Sequence, residues 1–233
     1  MKKHVVRHAK SKFFFIFFVS FSTLSISQSV LASSECGDPY KSQGRAGPWD
    51  YSDPFSHSEG SAGGGSSWSR VYLVEIAHFQ PSVERLQSAK TGTIMTSIDY
   101  TLGVFPNHHR ALWTLIRYDK RLGGKLPNNF PSHYPITVEC YFDRAFQFKP
   151  RDPKVHQLYG SYFHLNHNYK KALKYYLKAE KLSDNDSQLI YNIGLLYYDM
   201  ENYAKAKEYA EKAIKLGFRV KGLKNKLIKN GHW

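Results

Sequence analysis

A thirty-four-residue echo runs through the C-terminal part of this 233-residue chain. Gly160, Ala172 and Ala179 recur as Gly194, Ala206 and Ala213, and Asn168-Tyr169 returns as Asn202-Tyr203. Small residues repeated at that period are the pattern of stacked helical hairpins, in which no hairpin buries its apolar face without its neighbours. The Gly and Ala positions fall where two helices cross too closely for larger side chains. The chain is therefore predicted to be all-α over residues 153–186 and 187–218, each a helix, a short Asn-containing turn and a second helix.

Upstream the pattern persists in broken form. Ala145 lies one period before Ala179, and Pro150 falls where a repeat should close. Residues 105–152 thus read as a degenerate repeat: a helix from Pro106 to about Arg121 and another from Tyr134 to Phe148. Gly123-Gly124, Pro127, Pro131 and Pro135 enforce an enlarged turn between them. Asn107 to Arg110 would begin the first of these helices, with polar side chains satisfying its end. Residues 71–104 form a module that the sequence does not resolve: Val71 to Phe79 suits a short strand, extended chain or the start of a helix. Pro81 then opens a helix through about Lys90. At the other end, residues 219–233 carry five positive charges and no acid, and Leu223, Leu227 and Ile228 suit a helix that caps the last repeat.

Residues 1–32 read as a secretory signal peptide. Lys2, Lys3, Arg7, Lys10 and Lys12 make a positive front, Phe13 to Ile26 an apolar stretch too short and too interrupted to span a membrane, and Val30-Leu31-Ala32 a cleavage site. Removing them takes away five of the 33 basic residues and none of the 19 acidic ones, so the remaining charge is 28 − 19, or +9. Such a chain is drawn to anionic surfaces. After export these would be envelope lipids and polymers rather than nucleic acid. Residues 33–70, rich in Gly, Ser, Pro and Asp, make a flexible arm. Its aromatic clusters, Cys36-Gly37-Asp38-Pro39-Tyr40 and Gly47-Pro48-Trp49-Asp50-Tyr51, either dock on the core or serve as a recognition peptide. Cys36 and Cys140 would meet an oxidising compartment, where they either pair or leave Cys140 as a small buried side chain.

The repeated residues resemble the tetratricopeptide repeat family. Gly160 and Gly194 match its eighth position, Ala172 and Ala206 its twentieth, Ala179 and Ala213 its twenty-seventh, and Tyr176 its aromatic twenty-fourth. Ala210 departs from that aromatic, and the closing proline is kept only at Pro150. More loosely, Cys36-Gly37, Asp99 to Leu102, Phe105 to Leu112 and Glu139 to Ala145 resemble small exported bacterial repeat proteins of unassigned role.

The resemblance implies a concave groove, lined by the first helix of each repeat, that receives a peptide or a helix of another protein. Register places Lys154, Gln157, Leu158, Ser161, His164 and Leu165 on it, followed by Gln188, Tyr191, Asn192, Leu195, Tyr198 and Asp199. Tyr191, Leu195 and Tyr198 would supply apolar contact, with Gln157, Asn192 and His164 orienting the partner. Of the residues with which family members clamp a C-terminal carboxylate, only Asn192 is matched. A second surface is the stripe Lys170, Lys174, Lys178 and Lys181, which reads either as a solvated face or as a contact for an anionic envelope surface. A third reading is a metal-dependent enzyme built on Glu75, His78, Asp99, His108 and His109. Adjacent histidines point about 100° apart on a helix and do not converge easily on one ion. None of the metal-protease, serine-hydrolase or phosphate-loop motifs is present. The expectation is a non-catalytic exported scaffold, without cofactor, that binds an envelope protein or peptide.

Overall fold

A computed structural model describes residues 35–41, 44–130, 132 and 135–233. The chain divides into two units, residues 1–32 and 33–233; all the described residues belong to the second, and the expected signal peptide lies outside them. All regular structure among the described residues is helical: α1 Pro54–His57, α2 Arg70–His78, α3 Pro81–Glu84, α4 Ile94–Val104, α5 His109–Arg121, α6 Val138–Phe148, α7 Pro153–Leu165, α8 Tyr169–Leu182, α9 Ser187–Asp199, α10 Tyr203–Lys215 and α11 Gly222–Lys229. None of these is long and apolar enough to cross a membrane.

Local chemistry sets the helix starts. Asp152 and Asp186 cap α7 and α9, each carboxylate accepting from two backbone N–H groups, and Asn168 and Asn202 cap α8 and α10. The two turns inside the repeats match in backbone as well. His167 and Glu201, one period apart, both take the left-handed conformation, with φ of 57° and 59°. The small residues stand in helix crossings: Ala172, Ala179, Ala206 and Ala213 are fully buried. A side chain at Gly160 would put its Cβ 2.5 Å from the Tyr176 ring.

Three hairpins, α5/α6, α7/α8 and α9/α10, share one continuous core that runs from Phe79 to Leu227. Both ends are covered. At the far end α11 sinks Leu223 and Leu227 against α9 and α10. At the near end α2 and α3 pack on α4, and α3 and α4 pack on α5. Val71 to Phe79 is thus almost entirely helical, because Ser69 caps it through the N–H of Tyr72, and its β-branched residues Val71 and Val74 face the second small core. The helix opened by Pro81 stops at Glu84 rather than near Lys90, where Arg85 turns and Leu86 takes a φ of 57°.

Residues 47–51 of the Gly/Ser-rich arm lie on this near-end cap. Trp49 and Tyr51 pack on Val71, Val74, Val104 and Phe105, and the Trp49 N–H donates to the Val104 carbonyl at 2.8 Å. Arg45 pairs with the buried Asp99 at 2.7 Å, which also accepts from the Tyr141 hydroxyl. Cys36 and Cys140 form a disulfide that ties the arm to α6 across 104 residues of sequence.

Candidate functional site

The first helices of the three hairpins lie side by side and run the same way, as contacts at their ends show. At their starts, His109 of α5 bonds Asp152, the cap of α7, at 2.9 Å, and Lys154 of α7 lies 3.9 Å from Asp186, the cap of α9. At their ends, the Lys120 ammonium donates to the Leu165 carbonyl at 3.0 Å, and His164 bonds Asp199 at 2.8 Å. Between the two rims lies an open groove of about 870 Å³. Neighbouring helix axes stand roughly 8 to 10 Å apart, so three helices span about 20 Å, the length of about six residues of extended chain.

The floor is mixed. Leu158 and Leu195 supply apolar surface, Gln157, Ser161 and Asn192 supply polar groups, and Tyr176 lies beneath. Trp113 and Leu165, 37% and 38% exposed, stand in the same groove without full cover. Ten of the twelve positions assigned by register line it: Lys154, Gln157, Leu158, Ser161, His164, Leu165, Gln188, Asn192, Leu195 and Asp199. Tyr191 and Tyr198 do not. The Tyr191 hydroxyl accepts from the Leu223 N–H at 3.2 Å and its ring lies 4.4 Å from that of Phe218. The Tyr198 hydroxyl accepts from Asn230, and its ring packs on Tyr203 with Lys226 above it. The C-terminal cap therefore takes two of the three side chains expected to grip a partner, because a terminal repeat must cover its open face.

The structure adds α5 to the groove. Counted from its cap, Arg110, Trp113 and Lys120 of α5 fall at the places of Lys154, Gln157 and His164 in α7, and both helices are 13 residues long. Starting the helix at Pro106 rather than His109, with the period broken by the loop after Arg121, hides that register in the sequence. Arg110 is braced from behind by Glu75 of α2 and Glu84 of α3, with Nη1 2.9 Å from Glu75 Oε1, so the near-end cap shapes the groove wall. His108 caps α5: Nδ1 accepts from the Ala111 N–H at 3.1 Å, which leaves its proton on Nε2 to donate to Glu75 at 3.1 Å. Burial pushes the His108 imidazolium down from its ordinary value, despite the Glu75 carboxylate. Burial would raise Asp152, yet bonds from His109, Asn107 and the Val155 N–H outweigh it and hold the carboxyl low.

Of the five residues of the metal reading, only Glu75 and His108 meet each other, and the rest serve other partners. His78 stacks on Tyr100 with centroids 3.7 Å apart, Asp99 holds Arg45 and Tyr141, His108 bonds Glu75 and His109 bonds Asp152. Among the described residues no three His, Cys, Asp or Glu are placed to hold an ion. Lys170, Lys174, Lys178 and Lys181 are all exposed along α8, and no ion pair among the described residues includes them.

Residues 187–216, the α9/α10 hairpin, match the tetratricopeptide repeat family. The chain carries a tetratricopeptide repeat. Proteins built of such repeats present their stacked surface to other proteins. The tetratricopeptide hairpin has the same caps, turn geometry and buried small residues as the α7/α8 hairpin before it. A solved structure titled as the functional characterization of Pseudomonas aeruginosa pilF is similar, at 19% identity and a TM-score of 0.49, over 69% of this chain and 68% of that one. No curated protein matches the chain.

Proposed function

We propose that this protein is an exported adaptor that holds an extended segment of an envelope protein in the groove of α5, α7 and α9, without catalysis. One observation carries the reading: Trp113 and Leu165 stand half-open over an 870 Å³ groove whose polar rims can take the partner's backbone and side chains. Export is argued from the positive front, apolar stretch and small-residue site of residues 1–32. The groove mechanism is burial of partner apolar groups against Trp113, Leu158, Leu165 and Leu195, oriented by Gln157, Asn192 and His164. Cross-linking in intact cells, followed by identification of the captured proteins, tests it. Trp113→Ala with Leu165→Ala should empty the cross-linked set while helicity is unchanged, since both side chains are partly exposed. An unaltered set rejects the groove.

The unpaired lysines of α8 support a second reading, attachment to an anionic envelope surface. It predicts flotation with anionic vesicles that is lost when Lys170, Lys174, Lys178 and Lys181 are changed to Gln and that falls steeply with salt. Vesicle binding untouched by those four changes removes it.

A further inference from the structure

We infer that the segment taken by the groove is acidic, an extended stretch of about six residues in which Asp or Glu side chains flank apolar ones. The inference rests on the groove reading and adds the chemistry of the occupant.

The charges at the two rims are unequal in what they leave available. His109, Arg110 and Lys154 stand at one rim, Lys120, His164 and Lys226 at the other, and Asp199 is the one carboxylate among the lining residues. Asp199 is engaged by His164. The acids behind the walls are engaged as well: Glu75 and Glu84 by Arg110, Asp152 by His109 and Asn107, with Asp186 beside Lys154. Two lysines of the lining make no ion pair, although Lys120 feels the charge of Asp119 beside it. Lys120 donates only to a backbone carbonyl, and Lys226 lies 5.3 Å above the Tyr198 ring. Each ammonium has further N–H donors to give. An arriving carboxylate therefore finds two ammonium groups outside any ion pair at the rim formed by the helix ends, while an arriving ammonium finds only Asp199, one oxygen of which is already bonded by His164.

Apolar surface lies between those charges. Trp113, Leu158, Leu165 and Leu195 face a ligand lying across the helices. An extended chain turns alternate side chains to opposite sides, so apolar residues directed to this floor leave their neighbours free to reach the rims. The excess of 28 basic over 19 acidic residues beyond Ala32 steers the approach of the same kind of ligand.

A random dodecapeptide display library panned on the purified protein tests the inference. Recovered peptides are resynthesised with Asp and Glu intact and with Asn and Gln in their place. The acidic forms should bind, lose about tenfold or more on exchange to the amides, and weaken on going from about 50 to about 500 mM NaCl. Lys120→Glu with Lys226→Glu should abolish the preference while leaving helicity intact. Peptides that need Trp113 and Leu165 but bind equally as acids and amides overturn the acidic occupant and leave the groove standing. Peptides indifferent to Trp113→Ala with Leu165→Ala, or none recovered, overturn both.

Discussion

Leu223 of the C-terminal helix takes over Gly194 the place that Tyr176 takes over Gly160. A Cβ built on Gly160 would meet the Tyr176 ring at 2.5 Å, and one built on Gly194 would meet Leu223 Cδ2 at 2.7 Å. Ala210, one period after Tyr176, is the small residue that leaves this space open. The cap is thus inserted where a repeat would supply its own aromatic. Ala210→Tyr should refill the space and expel α11, whose start has no side-chain cap to hold it. The expected outcome is fast hydrogen exchange over Gly222–Lys229 with the α7/α8 hairpin still protected. Continued protection of α11 would count against the insertion.

The two glycines should differ when each is changed to Ala. At Gly160 the obstacle is the ring of Tyr176, itself buried to 2% exposure and fixed by a hydroxyl contact with Ser161 at 3.1 Å. At Gly194 the nearest atom is the end of a leucine side chain on a short helix. Gly160→Ala is expected to cost about 1 to 3 kcal/mol through overpacking, and Gly194→Ala less. Urea unfolding of both variants decides the order, and a larger loss at Gly194 would show that α11 is the stiffer neighbour.

The hairpins were legible because their spacing repeats: Asn168 and Asn202 at the caps, Gly160 and Gly194 with the alanines in the crossings. For α7 and α9 the lining positions followed from register once the family resemblance had implied a groove along the first helices. What the period did not carry was lost. Trp113 and Lys120 needed the true start of α5, set by the unusual cap His108, and Tyr191 and Tyr198 needed the position of α11, which belongs to no repeat. Val71 to Phe79 stayed open between strand, extended chain and helix because β-branched residues suit any buried surface, and burial against Trp49 and Phe105 goes with the helix.

Acid should weaken the protein in two stages. His108 is buried and its folded value lies below the ordinary 6.5, so the unfolded chain binds a proton there first. Stability is full above about pH 6.5 and declines as pH falls below it. Burial would raise Glu75 and Asp152, but their bonds to His108, Arg110, His109 and Asn107 hold them below 4.5 and 3.8. Their contribution is present above those values and lost as pH falls through the lower folded ones. His108→Asn keeps a capping side chain but no titrating group. Its urea midpoint should be lower at neutral pH yet change less than the parent's between about pH 7 and 5. An unchanged slope would show that another group carries the first stage.

The disulfide and the packed arm hold the near end by separate means, so they can be tested apart. Cys36–Cys140 closes a loop of 104 residues, worth about 4 to 5 kcal/mol if its effect is the lost entropy of the unfolded chain. Trp49 and Arg45 hold residues 44–51 to α4 without it, through the Val104 carbonyl and Asp99. Cys36→Ser with Cys140→Ser should therefore lower the unfolding free energy by that order while the native fluorescence of Trp49 stays as it was. Arg45→Gln should do the reverse, loosening Trp49 in the native state with a smaller global cost. A disulfide-free variant whose Trp49 is exposed before unfolding begins would mean that the bridge, rather than the Asp99 pair, keeps the arm in place.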